Sequence, residues 1–378
     1  MLSKRKATVL FGGSFNPPTT AHLSVIEGVS ARFERVIVIP AKVSPFKINA
    51  FVLPDSDRVS LLKKMTAHLD NVEISDFELK SAGVSYTYLT LRHFSNEQNL
   101  YFVLGTDNIS ELHRWKNLDE IASLTTLYFV PRPNYEVTAE DIETLRKLGV
   151  KYEFADFSGV DGSSSLLKVA TAFNKEAEVV PPCVEEYLKN GNAFSDYEYI
   201  TDAYQKFGLK QSRIEHIYRT TKAALVLAKK NDVDAEKAVR AALMHDIGKS
   251  VPLDSLTAKG VQFDPEAFRV HENIQHCFVG EYLAKEYLGE TDEDVLEAIK
   301  YHTTGKGNMT PLACVIFCAD FIEDGRKFDG IDEIRALTYR DMKAGMIKII
   351  EHTKQFLLGS GLPIDPRTQE CYEWLKGE

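Results

Sequence analysis

The stretch that decides the fold of the first half is Ala7-Thr8-Val9-Leu10-Phe11-Gly12-Gly13-Ser14-Phe15-Asn16-Pro17-Pro18-Thr19-Thr20-Ala21-His22. Its apolar run predicts a strand over Thr8–Phe11, its Gly/Pro segment a loop, and the spacing from Leu23 to Phe33 a helix. Glycines between a strand and a helix let backbone N–H groups approach an anion, and the helix N-terminus behind them adds positive potential. Taken alone, the two glycines read equally as a turn, and His22 as a capping or core histidine.

Working outward, β-branched and apolar runs predict further strands at Val36–Pro40, Val72–Ile74, Leu100–Leu104 and Leu127–Val130. Helical spacing predicts helices at Arg58–His68, Thr87–Phe94 and Leu118–Leu124. Such alternation predicts an α/β doubly wound parallel sheet covered on both faces. Ligands on such sheets sit beyond the C-terminal ends of the strands. The loops after Phe11, Ile39, Leu104 and Val130 are therefore the places to look for chemistry. They carry Pro45-Phe46-Lys47, Gly105-Thr106-Asp107 with Trp115 downstream, and Arg132; Ser163-Ser164-Ser165 and Lys168 open a later helix. Singly these are turns, caps or solvated charges. Together they put donors and cations at one end of one sheet.

The pattern changes near Lys189–Asp196, where NAFSDYE reads as a linker between domains over 1–191 and 197–378. Beyond it the spacing predicts an all-α domain, with helices at Ile214–Lys230, Ala235–His245, Phe278–Tyr287, Asp292–His302 and Leu312–Ile322. Asp234 and Thr291 are candidate N-caps, and Gly248 and Gly305 candidate helix stops. Metal-ligand residue types recur through these helices: His216, His245, Asp246, His271, His276, His302 and Asp320. Most histidines on apolar helices are core residues, but the doublet in Leu243-Met244-His245-Asp246-Ile247-Gly248-Lys249 is different. Adjacent residues diverge by about 100° on a helix. They converge on metal only if one ligates axially or bridges two ions, which favours a dinuclear centre with Asp246 as the bridge.

Composition bounds the function. A chain of 378 residues, 44% hydrophobic and 26% charged, suits two globular domains. No apolar stretch is long enough to span a bilayer, and the run after Lys6 is too short for a signal peptide, so a cytoplasmic protein without membrane partners is expected. A net charge of -10 argues against nucleic acid as a partner. The five cysteines, Cys183, Cys277, Cys314, Cys318 and Cys371, show no CxxC pair and read as buried free thiols in a reducing compartment. Cys314 and Cys318, one helical turn apart, read as packing residues.

With these residues in view, the first half resembles the bacterial nicotinate-nucleotide adenylyltransferases. Their GGxFxPxHxGH, SYT, GxD with a following Trp, and SSTxIR correspond to GGSFNPPTTAH, Ser85-Tyr86-Thr87, Gly105 to Trp115, and SSSLLK. The resemblance implies a Rossmann-like nucleotidyltransferase that joins ATP to nicotinate mononucleotide with Mg2+ and releases pyrophosphate. It implies ATP at Gly12, Gly13, Ser14, Phe15, Gly105, Asp107, Ser164 and Ser165. It implies Thr19, His22, Lys47 and Lys168 at the phosphates, Trp115 stacked on the pyridine ring, Ser85, Tyr86 and Thr87 near the nicotinate carboxylate, and Arg132 as a further substrate contact. Thr19 stands where the family has histidine, Ala21 where it has glycine, and Lys168 where it has arginine. Ala21 is expected to push a methyl group toward the ATP side of the loop.

The second half resembles the HD superfamily, and within it the bacterial symmetrical diadenosine-tetraphosphate hydrolases. The matching segments are Arg213-Ile214-Glu215-His216, LMHDIGK, His276-Cys277-Phe278-Val279-Gly280, AIKYHTTG and FCADFIEDGR. The resemblance implies His216, His245, Asp246, His276, His302 and Asp320 as ligands of a dinuclear iron or other first-row metal centre, with His271 an alternative to His276. It implies Lys249, Thr303 and Arg326 at the phosphates, Asp246 and Lys249 serving catalysis, and cleavage of diadenosine tetraphosphate to two ADP. A rival reading makes one half, the front one first, a nucleotide-binding regulatory module. Another gives the HD domain a different nucleotide. The oligomeric state and the choice between nicotinate and nicotinamide are not legible in the sequence.

Overall fold

A computed structural model of the chain describes residues 3–42, 53–81, 84–133, 135–160, 162–173, 175, 180–189 and 197–377. The chain divides into one unit built on a sheet and one built of helices; the second unit also takes in Lys168–Phe173. Of the expected linker NAFSDYE, residues 192–196 lie outside the described residues; its last two residues are corrected, since Tyr197 is buried and Glu198 opens the helix Glu198–Lys206.

The sheet has strands β1 (Arg5–Gly13), β2 (Phe33–Pro40), β3 (Val72–Ile74), β4 (Leu100–Gly105), β5 (Thr126–Val130) and β6 (Tyr152–Phe154). Their order is β3-β2-β1-β4-β5-β6, every neighbouring pair parallel. The order reverses between β1 and β4, and the crevice beyond their C-terminal ends is where such a sheet binds ligands. Side chains alternate faces with a period of two. Val9, Phe11, Val36, Val38, Val103 and Tyr128 pack against Val25, Ile26 and Val29 of the helix Thr20–Ser30. Leu10, Ile37, Ile39, Phe102, Leu104, Leu127 and Phe129 pack on the other face with Leu91, Ile109, Leu112, Ile121 and Leu145. Both faces are dry, so the strands read as nearly continuous apolar runs.

Two details differ from the sequence expectation. The first helix ends at Ser30, and Phe33 opens β2 rather than closing the helix. Its ring is fully buried against Tyr101 and Tyr128, which a β-strand position satisfies. The strand β6 and the helix Ala139–Lys147 were not foreseen. β6 is only three residues long at the sheet edge and carries no apolar run.

The second unit is helical. Helix Pro311–Ile322 is buried along almost its whole length, as an all-round apolar helix must be. Around it pack helices Gln211–Lys230, Ala235–Met244 and Glu293–Tyr301, and helix Glu272–Tyr282 packs on the last of these. Asp234 caps its helix through Lys237 N, as expected. Asp292, not Thr291, caps the helix Glu293–Tyr301: its carboxylate accepts from Asp294 N and Val295 N, while Thr291 donates its own N–H to Glu290. No helix among the described residues is long and apolar enough to cross a membrane.

Candidate phosphate site and candidate metal centre

In the first unit, β1 runs into Gly12 and Gly13 at the switch point. A side chain at Gly13 would come within 3.1 Å of the Phe15 ring, and one at Gly12 within 3.3 Å of Phe102. Phe15 adopts a left-handed φ of 44° and is buried, with its ring edge-on to His22 at 4.9 Å. The glycines thus let Phe15 fold under the loop while the backbone from Gly12 to Ser14 lines it.

Thr19 caps the following helix. His22 Nδ1 accepts the Thr19 N–H at 2.9 Å and lies 2.8 Å from Thr19 Oγ1. A ring nitrogen that accepts from an amide carries no proton, so neutral His22 holds its proton on Nε2. The capping role and a phosphate-donor role are therefore compatible in one side chain. Ser164 Oγ donates to Pro17 O at 2.8 Å and ties the late serine helix to this loop. Ser165 follows in the first turn of that helix; Lys168, one turn on, is counted with the second unit. Ala21 is buried, and its methyl faces Gly162, where an added Cβ would lie 3.4 Å away.

Across the switch point, a side chain at Gly105 would collide with Asp107 Oδ1 at 2.2 Å and Arg132 Nε at 2.7 Å. Only glycine lets these two side chains meet above the end of β4, where they lie 3.5 Å apart. Phe102 links this side to Trp115, with ring centroids 6.2 Å apart. Ser85 Oγ accepts from Lys42 N, and Lys116 Nζ lies 4.6 Å over the Tyr86 ring. Thr87 opens the helix Thr87–His93. Lys47 lies outside the described residues.

One residue here escaped the sequence reading. Arg58 is fully buried and donates from Nη1 to Ser14 O at 2.8 Å and Ala41 O at 2.7 Å, with Asp55 on Nη2 at 2.5 Å. It joins the loops that follow β1 and β2. An arginine on a helix otherwise reads as solvated; the one signal was its place in the otherwise apolar spacing of Leu61, Leu62 and Met65.

In the second unit, six of the seven metal-type residues converge. Asp246 sits at their centre, buried, with its two oxygens facing different partners. Oδ1 lies 3.2 Å from His276 Nε2 and 3.6 Å from His302 Nε2. Oδ2 lies 3.5 Å from His245 Nε2 and 3.7 Å from His216 Nε2, and Asp320 Oδ1 is 2.9 Å from that same His216 nitrogen. His271 is not in the cluster; it caps helix Glu272–Tyr282 by accepting the Asn273 N–H.

The chain turns close enough for this because of two glycines. A Cβ on Gly248 would meet His276 O at 2.4 Å and Gly280 N at 2.6 Å. Gly248 was read as a helix stop; its larger contribution is backbone contact between the His245–Asp246 turn and the helix carrying His276.

The donor set fits metal. His245 Nδ1 donates to Ala242 O at 2.7 Å, His302 Nδ1 to Ile299 O at 2.8 Å, and His216 Nδ1 to Glu323 Oε1 at 3.2 Å. Each hydrogen bond fixes the tautomer that leaves the Nε2 lone pair for a ligand role. Burial pushes the His245 pKa down to about 3, keeping that ring neutral. Burial alone would raise the Asp246 carboxyl, but His245, His276 and His302 outweigh it and hold it well below the usual carboxylate range. Donor atoms about 2.0–2.2 Å from one ion lie roughly 3–3.6 Å from each other, the spacing seen on each side of Asp246.

The shell around the donors was only partly foreseen. Glu323 is buried between His216 and Arg219; burial would raise it, yet those two partners bring it to about 2. Arg213 Nη1 lies 2.6 Å from Asp246 Oδ2, and Arg326 Nη2 2.8 Å from Asp320 Oδ1. Lys249 Nζ is 3.2 Å from His276 Nε2, and Thr303 Oγ1 accepts from Cys277. Glu323 was missed because a lone glutamate in a helix-ending turn carries no ligand spacing.

Comparison with known proteins follows the same division. Residues 10–175 match the cytidylyltransferase-like family and residues 213–324 the HD domain. A protein of Mycoplasma genitalium named as a probable nicotinate-nucleotide adenylyltransferase/Ap4A hydrolase is 24% identical, aligned over 93% of this chain and 99% of its own. The symmetrical bis(5'-nucleosyl)-tetraphosphatase of Bacillus subtilis is 37% identical over 44% of this chain and 93% of its own. A probable nicotinate-nucleotide adenylyltransferase of Clostridium botulinum is 34% identical over 49% of this chain and 97% of its own.

Proposed function

Because the chain belongs over its first half to the nicotinate-nucleotide adenylyltransferase family and over its second to the HD-type symmetrical tetraphosphatase family, we propose that it is a bifunctional enzyme. The first unit transfers the adenylyl group of ATP to nicotinate mononucleotide, giving nicotinate adenine dinucleotide and pyrophosphate. The second hydrolyses diadenosine tetraphosphate symmetrically to two ADP.

For the first unit the supporting observation is the reciprocal Thr19–His22 cap, which leaves the His22 proton on Nε2 at the phosphate end of the sheet. Transfer of this kind is in-line positioning plus stabilisation of charge, with no covalent protein nucleophile. His22 Nε2–H donates where charge grows on the α-phosphate. Thr19 and the backbone of Gly12–Phe15 hold the polyphosphate, and Lys47 and Lys168 add cations. Gly105, Asp107, Ser164 and Ser165 border the nucleotide, which enters with Mg2+ held by its own phosphates and water. Trp115 stacks on the pyridine ring, Ser85–Thr87 face its carboxylate, and Arg132 contacts substrate.

For the second unit the carrying observation is the division of Asp246 between two histidine pairs. His216, His245 and Asp320 would hold one ion with Asp246 Oδ2; His276 and His302 would hold another with Oδ1. Mixed imidazole and carboxylate donors suit iron or a neighbouring first-row ion. A bound metal pair supplies water activation and charge neutralisation at the attacked phosphate. Lys249, Thr303 and Arg326 bind the polyphosphate chain, and Glu323 and the Ala242 and Ile299 carbonyls keep the ligand rings in register.

Two assays on the full chain test the proposal. ATP with nicotinate mononucleotide should yield pyrophosphate and the dinucleotide; nucleotide binding without pyrophosphate would make the first unit a sensor. Diadenosine tetraphosphate should yield ADP alone; ATP plus AMP would mean asymmetrical cleavage and overturn the second assignment.

A further inference from the structure

The metal set above leaves one ligand-type side chain unused. Cys277 is fully buried, with Sγ 3.6 Å from His276 Nε2 and 3.8 Å from His302 Nδ1. Its thiol donates to Thr303 Oγ1 at 3.3 Å. His276, Cys277 and His302 each offer a ligand atom within 4.8 Å of the other two, all three buried. We propose that Cys277 is a ligand of the ion held by His276 and His302, which makes the two metal positions chemically unequal. The inference rests on reading this cluster as a metal centre.

Charge is the first argument. The position at Asp246 Oδ2 has two carboxylates, Asp246 and Asp320, beside two imidazoles. The position at Oδ1 has two imidazoles and only a share of Asp246. Cations lie near both positions, Lys249 beside His276 Nε2 and Arg213 and Arg326 against Asp246 Oδ2 and Asp320 Oδ1, so the difference lies in the anions offered as ligands. A dication there needs a second anion, and among the described residues of the cluster the Cys277 thiolate is the group in reach.

Geometry is the second. His276-Cys277 repeats the pattern of His245-Asp246, two adjacent residues at one face of the centre. Neighbours on a helix diverge by about 100°, so the second residue reaches the same ion only from its flank. A separation of 3.6 Å between Cys277 Sγ and His276 Nε2 suits a sulfur and a nitrogen at about 2.3 and 2.0–2.1 Å from one ion. Ligation exchanges the S–H bond for a sulfur–metal bond; the thiol proton leaves to solvent and no electron moves. The contact with Thr303 then reverses, the hydroxyl donating to sulfur. Thiolate favours zinc, iron or cobalt over magnesium or manganese at this position.

Cobalt(II) alone, titrated into the metal-stripped full chain to saturation, tests this. The wild type should show a near-ultraviolet sulfur-to-cobalt charge-transfer band beside the visible ligand-field bands. Cys277→Ser should lose the charge-transfer band and bind one ion more weakly, while keeping ligand-field bands from the position at His216, His245 and Asp320. Those retained bands show that the variant is folded, and Cys183, Cys314, Cys318 and Cys371 remain in it as internal controls. Saturated wild type without the charge-transfer band, or a band that survives in Cys277→Ser, overturns the proposal and leaves the metal centre standing. A chain that binds no cobalt overturns both.

Discussion

The two sites solve opposite problems. The first is built largely from backbone and short polar side chains at strand ends, gathered by sheet topology. The second is built from six side chains out of five helical segments, gathered by close packing around one carboxylate. In the first, Gly12, Gly13 and Gly105 leave room for Phe102, Phe15 and the Asp107–Arg132 pair to close in around the strand ends. In the second, the side chains already crowd one another, with donor atoms 2.9–3.7 Å apart. A polar cluster that dense and that buried is costly unless something pairs its charges. The comparison teaches that loss of the shared carboxylate Asp246 should be all-or-none, whereas substitutions in the first site should be graded.

Asp246→Ala is the largest break. Its two oxygens serve both sides of the cluster, so its loss removes an anion from both ions at once. Metal content should fall and ADP release from diadenosine tetraphosphate should disappear, while pyrophosphate release by the first unit continues. Elemental analysis beside both assays reads this. Full metal occupancy with turnover in this variant would end the reading of the second half.

His22→Ala tests the graded side. It removes one preorganised donor but leaves the loop backbone and the cations, so adenylyl transfer should fall roughly 100- to 1,000-fold. Hydrolysis of the tetraphosphate should not change. A variant within a factor of two of wild type would make His22 a helix cap and nothing more.

Glu323→Ala sharpens the second site one layer out. It removes the acceptor that fixes the His216 tautomer and leaves Arg219 without its carboxylate. Loss of such a partner costs about 10- to 100-fold in metal affinity. Metal competition with a chelator should show that loss, with turnover restored by excess metal. An unchanged affinity would place Glu323 in packing alone.

What the sequence made legible follows the same division. Strand–helix alternation announced the sheet, because short, nearly continuous β-branched and apolar runs alternating with helical spacing have few other readings. The clustered histidines were legible as candidates because His245-Asp246 puts two ligand-type side chains side by side in a helix-ending turn. What stayed hidden depends on contacts between distant segments. Glu323 and His216 are 107 residues apart, and nothing local in either announces the pair. Arg58 looks like any surface arginine until the carbonyls of Ser14 and Ala41 turn toward it. Cys277 was read only as a buried free thiol because cysteine spacing was judged against other cysteines, whereas its neighbours here are histidines.

The smallest effect is expected five residues from one of the largest. His271 and His276 lie on either side of one helix start, and spacing alone left both open as ligands. The structure gives them different work: His276 Nε2 faces Asp246, whereas His271 Nδ1 accepts the Asn273 N–H at 3.2 Å. His271→Ala should therefore cost a helix cap, at the low end of about 0.5–2 kcal/mol. For a helical unit of this size that is a fall of about 2–4 °C in Tm per kcal/mol. Metal content and ADP release should stay at wild-type levels, since no ligand is touched. His276→Ala, made beside it, should lose metal and turnover. The pair separates a cap from a ligand without relying on stability alone, because only metal content distinguishes the two roles. Metal lost from His271→Ala and kept in His276→Ala would exchange them, and with them the geometry assigned to the Oδ1 side of Asp246.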